Sequence, residues 1–454
     1  MICFNTAELA EGLRGTRLGE EATFGAVSTD TRTLCAGDLF VAIKGPTFDG
    51  HDYVGEARER GAAVALVQRD VGAPLPRVLV PDTRLGLGAL AAMWRERSGV
   101  PLVAVTGSNG KTTVKEMLAA ILRESGSSVL ATRGNLNNDI GLPLTLTGLQ
   151  DERYAVVEMG ANHPGEIAYL TRIARPDVAL LNNAGRAHLE GFGSLEGVAR
   201  AKAEIIQGLA PQGWFVFNAD DPWAPLWRGL SKGCNRRTFG IAPGADVRAV
   251  DAGGLHWGAE GFVNRFQVHS PRGEVRVELR LAGRHNLLNA LAAIAAAQLV
   301  GADLDQIRRG LAAVTPVRGR LQPRAGRNGV TLIDDSYNAN PDSVAAAIEV
   351  LGSAPGRRIL ILGGLAELGG DAERFYAELG ERARAAGIER LYGVGAAGIA
   401  ADSFGAGGYR FAGREALIGG LDGEFHRGDK VLIKGSRSAG MERVVEVLMA
   451  PEGD

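Results

Sequence analysis

"AVTGSNGKTTVKEML", residues 104–118, decides how this chain is read. An apolar run enters a glycine turn, and Val114, Met117, Leu118, Ile121 and Leu122 then recur at helical spacing. Strand, glycine turn and helix in this order make a cradle for anions. The glycines let successive N–H groups point inward, and the helix N-terminus adds positive potential. Here Thr106, Gly107, Ser108, Asn109 and Gly110 make the turn. Lys111 brings a point charge for terminal phosphates, and Thr112, followed by Thr113, places a hydroxyl where Mg²⁺ would sit. The spacing G-x-x-G-K-T is about two residues shorter than the usual phosphate loop.

A magnesium ion needs hard oxygen ligands, and one hydroxyl is not enough. Glu158 ends "YAVVE" (154–158), a second apolar strand. Ligands of open α/β sheets collect at the carboxyl ends of strands, so Glu158 is expected in the crevice beside Thr112. His188 lies in "NNAGRAHLEGFGS" (182–194), among glycines and polar groups rather than on an apolar face. Read alone, it divides evenly between a surface histidine and a site residue. Lys202, in "VARAKAEII" (198–206), reads by itself as a solvated lysine paired with Glu196 or Glu204.

The chain has 454 residues, 45% apolar and 22% charged, enough for about three domains of ~150 residues. A net charge of −2 gives no global basic field for nucleic acid or a membrane surface, so anionic ligands must be caught locally. Three scattered cysteines form neither a zinc pattern nor a disulfide framework, which points to a reducing cytoplasm. No signal peptide is read at the start. The apolar stretch 286–302 carries Asn286, Asn289 and Gln298 and reads as a buried helix rather than a membrane span. A cytoplasmic protein is expected, and nothing demands more than a monomer.

The fold class is α/β, in three blocks. Residues 1–83 give short strands: "LFVAIKG" (39–45), "AAVALVQ" (62–68) and "RVLVPD" (77–82). Residues 84–314 alternate strand and helix, which argues for a mostly parallel sheet covered on both faces. A helix over 195–209, an antiparallel hairpin around 261–281 and two helices, 286–300 and 304–313, complete this block. Residues 315–454 form a second α/β unit of strands and helices.

The motifs "TGSNGKT", "GNLNNDIGLP", "EMGANHPGEI", "NNAGRAHLEGFGS", "AKAEI", "GRHNLLNALAA", "DDSYNANPDS" and "KGSRSAGME" run in order through the chain and resemble the Mur ligase family. "STDTRTLCAGDLFVAIKGPTFDGHDYV" resembles that family's uridine-nucleotide domain. The resemblance implies a small N-terminal domain for the uridine diphosphate end of the substrate, a central P-loop-type ATPase domain, and a C-terminal Rossmann-like domain that closes over the site. It implies ATP and two Mg²⁺ ions. Thr112 and Glu158 would hold one; His188 and Lys202 would be associated with the other, with Lys202 carrying a carbamate. An ammonium repels Mg²⁺, whereas a carbamate is an anionic oxygen ligand. Lys111, Glu158, His188 and Lys202 then form the catalytic set. Asn286, Arg320 and Asp335 match the family's nucleotide contacts, and the last two would make ATP bridge two domains. On residue type alone, Asn286 could cap its helix and Asp335 could start a turn.

Within the family, "NNDIGLP" and "DDSYNANP" resemble the branch that joins D-alanyl-D-alanine to UDP-N-acetylmuramoyl-tripeptide through an acyl phosphate. Its products are UDP-N-acetylmuramoyl-pentapeptide, ADP and phosphate. Ser28, Thr29, Asp30 and Arg32 in "STDTR", with Lys44, would meet the uridine diphosphate. Asn135, Asn138, Tyr337, Asn338, Lys434 and Arg437 would line the path of the peptide substrates; Lys434 or Arg437 could meet a carboxylate or equally stabilise the helix that follows. Where the family commonly has an acid before "AEL", this chain has Gly363 and Gly364. A sister ligase adding one amino acid shares the ATP motifs. A folylpolyglutamate-type ligase lacks a uridine domain, so residues 1–83 argue against it. A nucleotide-binding regulator without chemistry is opposed by the intact set of Lys111, Thr112, Glu158, His188 and Lys202. "GVGAAG" (393–398) spells a dinucleotide fingerprint, but the glycine-broken stretch after it makes a poor helix.

Overall fold

Every residue of Leu102–Thr106 is buried, as in a strand covered on both faces. It pairs in parallel with Tyr154–Glu158 on one side and Val178–Leu181 on the other. The register sets Val105 opposite Glu158 and Thr106 opposite Leu181. Three strands therefore end level, and the phosphate loop leaves from the middle one.

The computed structural model describes residues 2–258, 261–421 and 423–450. The central sheet has nine strands. From one edge they run Val129–Ala131, Tyr154–Glu158, Leu102–Thr106, Val178–Leu181, Trp214–Asn218 and Asn235–Gly240, all parallel. Val247–Gly258, Gly261–Ser270 and Gly273–Leu279 then form an antiparallel meander. The expected hairpin is its last two strands. The first strand was not anticipated, because two register shifts and a glycine pair break its period of two. Helices Lys111–Arg123, Arg284–Leu299 and Leu304–Ala313 pack in one core of this unit, and Thr83–Ser98, Glu166–Ala174 and Leu195–Ala203 in another. The helix expected over 195–209 divides at Ala203, where a 3-10 turn begins. Among the described residues, no helix is long and apolar enough to cross a membrane.

Residues 16–79 carry a five-stranded sheet, and residues 322–434 a six-stranded one with an apolar core on each face. The first core of the central unit continues into the N-terminal residues through Phe4, Leu9 and Trp94. Trp94 is fully buried, donates from Nε1 to the Leu149 carbonyl, and stacks obliquely on Phe4 at 5.3 Å. In "GVGAAG" a Cβ on Gly393 would strike the Ala397 carbonyl, and the helix that follows has only seven residues. Those glycines serve a tight strand-to-helix turn.

Trp94→Ala should destabilise the protein by ~3–5 kcal/mol in urea unfolding, since it empties a core shared by two units. Trp94→Phe should lose less, retaining most of the volume while leaving the Leu149 carbonyl unpaired.

Candidate active site

The phosphate loop holds its shape by positive φ at Gly107 (150°) and Gly110 (80°). A Cβ on Gly110 would collide with Asn289 Oδ1 and crowd Asn182 Nδ2. Thr106 Oγ1 donates to the Met159 carbonyl and ties two strands rather than facing a ligand. Ser108 Oγ exchanges hydrogen bonds with Gly185. Asn109 is a hub. Its N–H donates to Asn183 Oδ1 at 2.8 Å, its carbonyl accepts from Asn182 and Asn183, and its Oδ1 accepts from Asn340 Nδ2 at 2.8 Å. Lys111 Nζ rests on the Gly107 carbonyl at 2.8 Å. Burial pushes its pKa down; Glu158 opposes this and Arg320 adds to it.

Thr112 Oγ1 donates to Glu158 Oε2 at 2.9 Å and accepts from Arg320 Nη2 at 3.1 Å. The other Glu158 oxygen accepts from Asn137 Nδ2 at 2.9 Å. Asn137 was missed, although it stands between the two candidates Asn135 and Asn138. Nothing in residue type separates these three asparagines. Asn138 Oδ1 accepts from Ile140 N and Gly141 N, closing a local turn. Asn135 is exposed.

Lys202 also departs from its reading as a solvated residue. It is 1% exposed, its Nζ donates to the Ala161 carbonyl at 3.2 Å, and it lies 5.1 Å from the Phe192 ring centroid. Glu196 pairs with Arg200 instead, and Glu204 accepts from Gly165 N and Ala168 N. Burial, aided by the charge of Lys111, pulls the Lys202 amine down to about 7. His188 sits at φ 54° and its Nδ1 meets the Glu367 carboxylate. Burial lowers its pKa, Glu367 opposes that, and Lys111 and Lys202 reinforce it.

The third unit contributes Arg320 and a buried pair. Lys434, 2% exposed, bonds Asp335 Oδ2 at 2.6 Å and the Asn338 carbonyl at 3.0 Å, while Asp335 Oδ1 accepts from Leu321 N. Of the two cations expected to be able to meet a substrate carboxylate, Lys434 has its ammonium engaged within the unit, whereas Arg437 is exposed. Arg437 is 69% exposed and 3.7 Å from Glu442. The Arg320 and Arg437 guanidiniums lie 4.5 and 5.7 Å from the Tyr337 ring centroid. Asn338 Oδ1 accepts from Ala339 N. Asn286 does not cap its helix, a position held by Gly283. Its Nδ2 donates to the Ala282 carbonyl and its Oδ1 accepts from Asn289, which in turn bonds Asn182.

These residues surround a cavity of ≈ 810 Å³ between the central and third units. Its lining includes Lys111, Thr112, Glu158, His188, Arg320 and Asp335; Thr113, Asn286, Tyr337, Asn338, Lys434 and Arg437 also reach it, and Lys202 does not. Ser28, Thr29, Asp30, Arg32 and Lys44 are not part of this lining and lie in the N-terminal unit. There Arg32 grips Asp30 at 2.6 Å and holds its carboxyl down at about 2, and Lys44 forms a backbone bridge with Asp49. Thr112 and Glu158 fit Mg²⁺, which takes one or two protein oxygens and completes its shell with water and phosphate. His188 and Lys202 fit a cation only when Lys202 is not an ammonium. Gly363 packs on Met441, and open space surrounds Gly364. No group of three or more His, Cys, Asp or Glu is placed to hold a metal among the described residues.

Three family models match the chain: the Mur ligase middle domain over residues 105–297, the Mur ligase glutamate ligase domain over 319–437, and the Mur ligase family catalytic domain over 23–95. The chain is 46% identical, over 99% of both chains, to UDP-N-acetylmuramoyl-tripeptide–D-alanyl-D-alanine ligase of Escherichia coli K12. Its structure is similar to MurF from Acinetobacter baumannii (TM-score 0.90, 35% identity, 98% of each chain). It is also similar to MurF ligase from Thermotoga maritima in complex with ADP (TM-score 0.83, 32% identity, covering 93% of this chain and 96% of that one).

Gly110→Ala should weaken Mg·ADP binding at least ~10-fold in calorimetric titration, because the loop must move away from Asn289 and leave the left-handed region. An unchanged affinity would remove this loop from the nucleotide site.

Proposed function

The chain belongs to the Mur ligase family, and on that footing we propose that it joins D-alanyl-D-alanine to UDP-N-acetylmuramoyl-tripeptide with ATP, in peptidoglycan precursor synthesis. The observation that carries the reading is the meeting of Thr112 and Glu158 with Arg320 at the cavity, where one nucleotide would touch both units. The curated relative of matching length carries this activity in its name. We divide the chain as residues 1–83 for the uridine diphosphate end, 84–314 for ATP, and 315–454 for closure. We take the protein to act as a monomer, with the reaction in the cytoplasm.

The γ-phosphoryl group of ATP passes to the terminal carboxylate of the tripeptide. The amine of the dipeptide then attacks the acyl carbon, a tetrahedral intermediate forms, and phosphate leaves as the amide bond closes. This chemistry brings anions together, and the chain answers with fixed positive groups. Loop N–H groups and Lys111 hold phosphate oxygens, and Arg320 adds a guanidinium from the third unit. Asn137 and Thr112 orient the Glu158 carboxylate. When bound, Mg²⁺ neutralises phosphate charge, with Thr112 and Glu158 holding one ion and His188 and carbamylated Lys202 suited to a second. Closure of the third unit excludes water, to which an acyl phosphate is labile.

Two measurements test this. Mg²⁺-dependent phosphate release should require both the tripeptide nucleotide and D-alanyl-D-alanine and yield a pentapeptide product by mass. Release with a single amino acid and an earlier precursor would move the chain to a sister ligase. For Lys202, ¹³C NMR with labelled bicarbonate should show a carbamate that Lys202→Gln abolishes. A depressed amine pKa means that the neutral, CO₂-reactive form grows as pH rises through about 7. At fixed dissolved CO₂, the signal should therefore increase across that pH.

A further inference from the structure

We propose that Glu367 is a positioning residue for His188, and that the third unit thereby completes the site as it closes. The two residues are 179 positions apart, and Glu367 comes from the loop that follows strand Arg358–Leu362. Its carboxylate takes the Nδ1 side of the imidazole. Both residues line the main cavity. A carboxylate on Nδ1 selects the tautomer protonated there and leaves the Nε2 lone pair free to face a cation or ligand.

Two features show that the contact is built rather than incidental. First, His188 (φ 54°) and Glu367 (φ 58°) both hold left-handed backbone, which a non-glycine residue keeps only where its surroundings demand it. Second, each loop is pinned beside the contact. The hydroxyl of buried Tyr376 accepts from Leu365 N at 2.7 Å, and Leu368 is buried. On the other side, Arg186 N and Nε donate to Asp342 at 2.6 and 2.7 Å, and Arg186 Nη1 donates to Glu378 at 2.9 Å. The third unit thus grips the His188 loop two residues upstream and orients the ring itself. Any separation of that unit from the central one would take the Nδ1 partner away from His188.

This inference rests on the ligase reading, and the test separates the two. In the full-length protein, Glu367→Ala should lower kcat ~10–100-fold, the range for removing an outer partner of a site histidine, with KM values within about threefold. Glu367→Gln, whose amide oxygen still accepts from Nδ1–H, should recover most of that loss. The second readout is ¹⁵N NMR of the imidazoles in the Mg·ADP complex; the chain has seven histidines, and His188→Gln assigns the signal. Wild type should show one fixed Nδ1-protonated tautomer, and Glu367→Ala a mixture. An unchanged tautomer overturns the proposal, as does a rise in KM at constant kcat, which would make the contact a clasp alone. A wild-type chain that forms no pentapeptide would instead sink the ligase reading, while the NMR result would still decide the contact.

Discussion

Crowding of positive charge around the phosphate loop is the constraint on which the site depends. Burial depresses the pKa of Lys111, His188 and Lys202 first of all; Lys111 adds to the depression of both Lys202 and His188, and Arg320 to that of Lys111. Glu158 opposes this for Lys111, and Glu367 for His188. Such a cluster is costly when empty and becomes favourable when polyanionic ligands arrive, because burial that penalises like charges also strengthens their attraction to phosphate. Burial, with the charge of Lys111 added to it, brings the Lys202 amine down to about 7, the condition under which it can react with CO₂.

Around that charge the chain uses asparagine. An amide side chain offers donors and acceptors without adding charge, so it can connect elements inside a field already strained. Asn109 links the loop to Asn182, Asn183 and Asn340, and Asn289 carries the connection on to Asn286. Asn340 also caps helix Pro341–Gly352 of the third unit through Ser343 N. The phosphate loop and the entry to that helix are therefore bonded to one another. Among the described residues, Asn182 Oδ1 is a buried acceptor without a partner, and Asn182 belongs to the cavity lining.

Much of the layout was legible along the chain. Runs such as Leu102–Thr106 and Tyr154–Glu158 are wholly or almost wholly buried, and a strand covered on both faces must be apolar at nearly every position. Glu158 could be placed beside Thr112 because strand ends in a parallel sheet share one crevice. The first meander strand and the three-residue edge strand Val129–Ala131 escaped, since glycines, bulges and shortness erase alternation. Lys202 shows how far residue type reaches: physics along the sequence favoured a solvated lysine, and family resemblance singled it out.

The sequence by itself determined the phosphate loop, the strand and helix order, and the chemical types collected near the site, because local periodicity and glycine placement are properties of neighbouring residues. Tertiary structure alone decided which charged groups remain available. Lys434 is engaged by Asp335, Lys202 is sealed beneath Phe192 and Ala161, Asn137 rather than Asn138 reaches Glu158, and Glu367 crosses between units to His188. Each outcome depends on a partner or a covering surface far away in the chain, and burial and pairing set both the charge state and the direction of a side chain.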